Sequence, residues 1–281
     1  SLYFWYANKL TERKMKITVP KIINLKNNRV ISMMTAYDYP SSKAISDAEI
    51  DIILVGDSLA QVVLGYEDTL SVTVDEMLHH VKAVTRANPN SLVVADMPYM
   101  SYHVSEEETI KNAARFIQEG KADAVKIEGG RKREKMIKAL INAEIPVMGH
   151  LGLTPQSKNI MGGYKVQGKT LELAKELLED AILLDSIGCF SLVLEGVPKV
   201  VAQTITEKIA IPTIGIGAGV HVDGQVLVYH DLLGMKSKEY IDAKFVKRYD
   251  NQYEKVVKTM KNFKKDIENR DFPTDDHSYD A

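Results

Sequence analysis

Hydrophobic and polar positions along the chain switch between two periods. From residue 30 onward, short β-branched, apolar runs end in a polar residue or glycine, and most are followed by a longer stretch whose apolar positions repeat at helical spacing. Eight such runs are read as strands, at 30–36, 50–55, 91–95, 124–127, 145–149, 191–194, 212–216 and 225–228. Helices are predicted over 41–47, 74–87, 105–119, 131–143, 170–186 and 198–208. Thr73 with Glu76, and Ser105 with Glu108, have the capping-box spacing that satisfies the orphan N–H groups of a helix start. A strand–helix alternation of this kind requires a parallel sheet covered by helices. Eight strands suffice to close a barrel, whereas a doubly wound sheet opens with a glycine-rich turn after its first strand; here that turn is TAYDYP, without glycine. The expected fold is α/β, a single-domain (β/α)8 TIM barrel.

The barrel is expected to span 15–281, with a charge-rich, partly helical extension over 236–271 that serves packing or oligomer contacts. Residues 1–14 are aromatic and then basic, too short in apolar length for a secretory signal, and are read as a leader outside the fold, with Met15 as the expected start. The apolar positions along 172–184 are expected to be core.

Charge narrows the function. The 36 Lys and Arg nearly balance 38 Asp and Glu, for a formal net charge of −2. Nucleic acids and anionic membranes are recognised through clustered cations, so neither is expected as a partner. The apolar runs are strand-sized, far below the ~20 residues of a membrane-spanning helix. One cysteine, Cys189, cannot form an internal disulfide, and a reducing, cytoplasmic setting is expected.

In a barrel the carboxyl ends of the strands converge on one mouth. The runs end in Tyr37 and Asp38, Asp57 and Ser58, Asp96, Lys126 and Glu128, His150, Glu195, the glycines Gly215, Gly217 and Gly219, and His230 with Asp231. Any one of these could be a turn residue or cap; the whole ring points to chemistry. Asp57, Asp96 and Glu128 end strands two, three and four. Three carboxylates without cysteine suit a hard divalent ion such as Mg²⁺, the alternative being turn residues plus a Glu128–Lys126 pair. Glu195, in the apolar run SLVLEG and across the mouth from that cluster, is either a general acid or base whose pKa burial raises, or a carboxylate bonded to a loop amide. His150 could meet a substrate oxygen or be a satisfied structural group. Glycines 215–219 could let a ligand approach the backbone. The segment 151–168 is either a mobile lid or an ordered loop at a subunit contact. His79 and His80, adjacent on a helix, do not face one another and are not expected to hold metal.

TAYDYP, VGDS, ADMPYMSY, VKIEGG, GHLGLTPQ, GGYKVQG, LVLEGVP, PTIGIGAG, DGQVLVYHDLLG and RDFPTDDHSY occur in this order from about Met15 to the end. Together they resemble the ketopantoate hydroxymethyltransferase family. The resemblance implies a barrel enzyme of pantothenate biosynthesis that transfers a hydroxymethyl group from 5,10-methylenetetrahydrofolate to the keto acid 3-methyl-2-oxobutanoate, giving 2-dehydropantoate. It implies Asp57 and Asp96 as Mg²⁺ ligands and Glu128 as a third metal-associated carboxylate. It further implies Ser58, Lys126 and His150 as groups that hold the keto acid, with Asp57 and Asp96 in the same pocket, Glu195 as the proton acceptor, and a homo-oligomer, a decamer. Metal-polarised keto acid would lose its neighbouring C–H proton to Glu195, forming an enolate. A rival is a Mg²⁺-dependent barrel of the isocitrate lyase and phosphoenolpyruvate mutase group, which would share the aspartates but use a catalytic cysteine or other loop motif; Cys189 precedes strand six. A catalytically silent barrel has no reason to keep the complete ring.

Overall fold

A computed structural model describes residues 15–237 and 239–280; the leader read over 1–14 lies outside them. Eight parallel strands close into a barrel in sequence order, β1 to β8. They are Ile31–Thr35, Ile52–Val55, Leu92–Asp96, Ala124–Glu128, Val147–Gly152, Ser191–Glu195, Thr213–Ile216 and Gly224–Leu227. Closure is made by β1 with β8, where Ile31 pairs with Gly224 and Met34 with Leu227. Gly224 is required there, because a Cβ would stand 2.5 Å from the carbonyl oxygen of Ile31. β2, β3 and β4 are buried at every residue, as strands covered by side chains inside and helices outside must be.

The barrel interior is filled in apolar layers. Ile31 and Met33 of β1, Ile52 and Leu54 of β2, Leu92 and Val94 of β3, Ala124, Met148, Val193, Ile214, Ile216 and Val226 belong to one buried cluster. Ile22 joins it from the helix Val19–Leu25, with Ile17, Val19 and Leu25 packed alongside. That helix, which the hydrophobic pattern did not show, covers the end where the strands begin, opposite the mouth. Beside it Lys26 Nζ donates to the carbonyls of Thr206 and Ile211 and to Asp223 Oδ2, at 2.9, 3.2 and 2.8 Å.

Helix starts follow the sequence signals. Thr73 makes both bonds of a capping box with Glu76 at the head of Val74–Arg86; Ser105 accepts from the Glu108 N–H at 3.1 Å at the head of Glu106–Gln118. Asp38, one of the ring of strand-end residues, is a cap: its carboxylate accepts from the Ser41 N–H at 2.8 Å and starts Tyr39–Asp47, two residues earlier than predicted. The helix predicted over 131–143 opens as a 3₁₀ turn, Arg131–Arg133, before Glu134–Asn142.

Two expectations are corrected. β5 begins after Pro146, which has no N–H for the ladder, and continues to Gly152, so His150 lies within the strand rather than at its end. Helix Leu171–Ile187 buries only Ala181 and Leu184 fully; Leu171, Leu173 and Ile182 are exposed, so its apolar positions are not all core. Two glycines of 215–219 also lie close to protein: a Cβ at Gly219 (φ +84°) would meet Lys199 Cβ at 2.5 Å, and one at Gly215, within β7, would meet Val222 at 2.9 Å.

The barrel unit ends at Val228, and the chain from Tyr229 onward forms a second compact unit. Within it the N–H groups of Tyr249, Gln252 and Tyr253 donate to the carbonyls of Leu232, Leu233 and Gly234. Its helix Gln252–Asn269 has no buried residue. Tyr253, Val256, Met260, Phe263 and Ile267 recur along it at spacings of three and four residues, all exposed.

Candidate active site

Strand periodicity lifts the polar residues onto the apolar layers. Alternate residues of a strand share a face, so the inward rows read Leu92, Val94, Asp96 on β3, Ala124, Lys126, Glu128 on β4, Met148, His150 on β5 and Val193, Glu195 on β6, apolar below and ionisable above. Asp57 and Ser58 follow β2 through Gly56, where a Cβ would lie 2.8 Å from Ser58 Oγ.

These side chains touch in order around the mouth. The backbone N–H of Asp57 donates to Asp96 Oδ2 at 2.9 Å. Lys126 Nζ donates to Asp96 Oδ1 at 2.9 Å and lies 3.0 Å from His150 Nδ1. His150 Nδ1 is 3.5 Å from Glu128 Oε1, and its Nε2 is 3.1 Å from Glu195 Oε2. Asp57, Asp96, Lys126, Glu128 and His150 are all buried, while the Glu195 side chain retains 16% of its exposure. Ser58, half-buried, shares a hydrogen bond of 2.8 Å with the hydroxyl of buried Tyr37. The ring of His80 meets the Tyr37 carbonyl through Nδ1 at 2.8 Å, a structural contact.

The six site residues expected from sequence around the keto acid and metal, together with Glu195, are therefore brought together. Glu195 on β6 lies four strands round the barrel from Asp57 after β2, across the mouth as expected, but only two strands from Glu128 on β4, and His150 on β5 stands between Glu128 and Glu195.

Burial and like charge set the protonation of the cluster. Burial raises the Asp57 carboxyl well above the usual carboxylate range, and the carboxylates of Asp96 and Glu128 push the same way, against Lys126 and a hydrogen bond from Gln156. Burial also disfavours the Glu128 carboxylate, but His150, Lys126 and the Gln156 N–H together hold it below its ordinary value. For Lys126, burial works against the ammonium, and Asp96, Glu128 and Asp57 more than offset it, so it stays charged. His150 is destabilised as a cation by burial and by Lys126; bonds to Glu128 and Glu195 outweigh both and lift it to about 9.

Gln156, on the 3₁₀ turn Pro155–Ser157 after β5, was not singled out by sequence reasoning, although it closes the GHLGLTPQ motif. Its Nε2 donates to Asp57 Oδ2 at 2.9 Å and to the Met97 carbonyl at 3.0 Å, and its backbone N–H donates to Glu128 Oε2 at 3.0 Å. Its Oε1 accepts from the buried Tyr102 hydroxyl. The loop read as a lid is thus pinned into the site at its start. Further along, Lys158 Nζ pairs with Asp68 at 3.2 Å and the Gln167 N–H donates to the Gly196 carbonyl at 3.0 Å.

Among the described residues no group of three or more His, Cys, Asp or Glu side chains is arranged as a metal site. Both oxygens of Glu128 face protein donors, as do both of Asp96. The donor chemistry nonetheless fits a hard divalent ion. It is oxygen-only, and Asp57 is crowded by carboxylates that Lys126 does not neutralise, a repulsion that a cation would relieve.

Residues 16–275 match the family model for ketopantoate hydroxymethyltransferase. The chain is 52% identical over 267 residues to the 3-methyl-2-oxobutanoate hydroxymethyltransferase of Koribacter versatilis (strain Ellin345), covering 95% of this chain and 90% of that one. It is 51% identical over 266 residues to the enzyme of the same name from Clostridioides difficile (strain 630), covering 94% and 96%. Among solved structures, phosphoenolpyruvate phosphomutase from Streptomyces platensis subsp. rosaceus superposes with a TM-score of 0.59 at 12% identity, over 90% of this chain and 88% of that one. A phosphonopyruvate hydrolase, solved in complex with oxalate and Mg²⁺, superposes with a TM-score of 0.58 at 10% identity, over 92% and 93%. At such identities the likeness is one of barrel fold.

Proposed function

The chain belongs to the ketopantoate hydroxymethyltransferase family, and from this premise we propose how the residues around its mouth divide the work of the reaction. Its reaction is hydroxymethyl transfer in pantothenate synthesis, with 3-methyl-2-oxobutanoate as acceptor. The donor in this reading is 5,10-methylenetetrahydrofolate. The proton on C3 of the keto acid passes to Glu195, leaving an enolate. C3 then bonds to the one-carbon unit, both C–N bonds of that unit to the folate break, water supplies the hydroxyl, and the two folate nitrogens take up the proton held by Glu195 and one from that water, so that tetrahydrofolate and 2-dehydropantoate leave.

Asp57 and Asp96 would hold Mg²⁺, with Glu128 as the associated third carboxylate; when bound, the ion supplies polarisation of the keto acid's oxygens and stabilises the charge that develops there. Lys126 and His150 present cationic donors to the keto acid's oxygens, and Ser58, held by Tyr37, adds a hydroxyl. Glu195 is the least buried carboxylate of the group, with Oε2 3.1 Å from His150 Nε2. The observation that carries this reading is the unbroken arc from Asp57 through Asp96, Lys126 and His150 to Glu195, each contact between 2.9 and 3.1 Å.

The enzyme is read as a cytoplasmic homo-oligomer, a decamer. Leu171, 82% exposed, and the apolar row of Gln252–Asn269 are surfaces that a lone subunit would leave in water. No described helix is long and apolar enough to cross a membrane.

The test is proton exchange at C3 of 3-methyl-2-oxobutanoate in D₂O, followed by NMR with and without Mg²⁺ and then with the folate donor. Mg²⁺-dependent exchange, followed by 2-dehydropantoate on adding donor, supports the enolate and the transfer together. An intact, metal-loaded protein that exchanges no proton would overturn the mechanism.

A further inference from the structure

Gln156 reaches more of the mouth than any residue assigned a role there. Through one side chain and one backbone N–H it contacts groups at or just past the carboxyl ends of β2, β3 and β4: Asp57 Oδ2 at 2.9 Å, the Met97 carbonyl at 3.0 Å and Glu128 Oε2 at 3.0 Å. Its amide cannot rotate end for end. The Met97 carbonyl needs a donor, which the amide offers only through its nitrogen, and the Tyr102 hydroxyl donates to Oε1, so Nε2 is fixed toward Asp57. Tyr102 is itself fixed, 1% exposed, with its hydroxyl accepting from the Glu128 N–H at 3.4 Å. Gln156 is 6% exposed. Water therefore contributes little to these bonds, and one residue, through its side-chain amide and its backbone N–H, holds Asp57 and Glu128 in a set relation.

We propose that Gln156, oriented by Tyr102, is the positioning residue of the divalent-cation site: it engages Oδ2 of Asp57 so that the carboxylate offers its other oxygen to the cation, and its backbone N–H keeps Glu128 at the rear of the site. The proposal rests on the reading of Asp57 as a metal ligand. A carboxylate bound to a metal by one oxygen needs its second oxygen hydrogen-bonded to keep its orientation, and loss of such outer partners typically costs ~10–100-fold in metal affinity or activity. Gln156 stands on the loop after β5, so it couples that loop to the metal site on β2 and β3.

The experiment uses Mn²⁺ as the probe, its binding to the full-length protein followed by electron paramagnetic resonance without substrate, and turnover measured separately as a function of Mg²⁺. Four proteins are compared: wild type, Asp57→Asn, Gln156→Met and Tyr102→Phe. Gln156→Met is expected to weaken Mn²⁺ binding by ~10-fold or more and to raise the Mg²⁺ concentration for half-maximal turnover by a similar factor, while kcat at saturating Mg²⁺ falls far less. Tyr102→Phe keeps the amide and removes only the group that orients it; it is expected to shift both quantities in the same direction by a smaller factor, and it serves if Gln156→Met does not fold. Wild-type Mn²⁺ affinity in both Gln156→Met and Tyr102→Phe, with binding abolished in Asp57→Asn, would overturn the positioning role and leave the metal assignment standing. Unchanged binding in Asp57→Asn would overturn the metal assignment and the proposal with it.

Discussion

His150 reaches Glu195 through Nε2 at 3.1 Å while its Nδ1 faces Lys126 and Glu128. The proposed base is therefore electrostatically joined to the carboxylate side of the mouth. Burial and Lys126 oppose the imidazolium, but Glu128 and Glu195 outweigh them and raise it to about 9. A histidine whose folded pKa exceeds its unfolded value, ~6.5, contributes stability fully below that value and loses it as pH rises through the folded one. In metal-free protein, imidazole NMR should show His150 charged through neutrality, and Glu195→Gln should lower its midpoint. A midpoint left unchanged by Glu195→Gln would show that Glu195 does not act on it.

Glu195→Gln keeps the shape and an acceptor oxygen facing His150 but cannot take a proton at neutral pH. Positioned acid–base catalysis is typically worth ~10²–10⁴-fold. Turnover and C3 proton exchange should fall together by a factor in that range, while Mn²⁺ affinity stays within about threefold of wild type, since the ligand carboxylates on β2 and β3 are untouched. Exchange at the wild-type rate in this variant would remove Glu195 from the proton transfer.

The barrel was legible because its strands are short apolar runs punctuated by ionisable residues. Ile52 to Val55 and Leu92 to Asp96 leave no other way to bury both faces. Asp57, Asp96, Lys126, Glu128, His150 and Glu195 stood out because the strand period places them at one end. Gln156 did not, because a polar residue after Pro155 in a loop carries no period; only the fold brings it to Asp57, 99 positions away. The helix Val19–Leu25 was hidden because of its length: its stripe of Val19, Ile22 and Leu25 spans seven residues, too few to establish a helical period. The exposed Leu171 and Leu173 had the helical period of core without a neighbour to cover them in this chain.

Asp57 must release its proton before it can serve a cation. Burial first, then Asp96 and Glu128, raise its carboxyl well above the ordinary value, so the metal-free protein holds that proton to higher pH than a free aspartate does. Because ligands bind metals deprotonated, Mg²⁺ affinity should rise with pH, with proton release on binding, as calorimetry in buffers of different ionisation enthalpy would register. A pH-independent affinity would place the ion away from Asp57.

Asp51 supplies a control far from the mouth, at the opening of β2. It is 1% exposed; its Oδ2 accepts from Arg29 Nη1 at 2.9 Å, from the Ser32 N–H at 2.9 Å and from Ser32 Oγ at 3.0 Å, and Oδ1 accepts from Arg29 Nη2 at 2.5 Å. Burial opposes the carboxylate, and the bonds from Arg29 and Ser32 outweigh it, so the pKa lies below its ordinary value. A depressed carboxylate contributes stability above its unfolded pKa, ~3.9, and loses it as pH falls through the folded value. Asp51→Asn keeps the shape but loses the charge. It should cost about 1.5–3 kcal/mol at neutral pH, the range for hydrogen bonds to charged groups, with turnover per folded molecule unchanged. Urea midpoints should separate wild type from variant most at neutral pH and converge as pH drops below ~4, where the wild-type carboxylate takes up its proton. A gap of constant size at every pH would mean that the bonds' geometry, and not the charge on Asp51, joins β1 to β2.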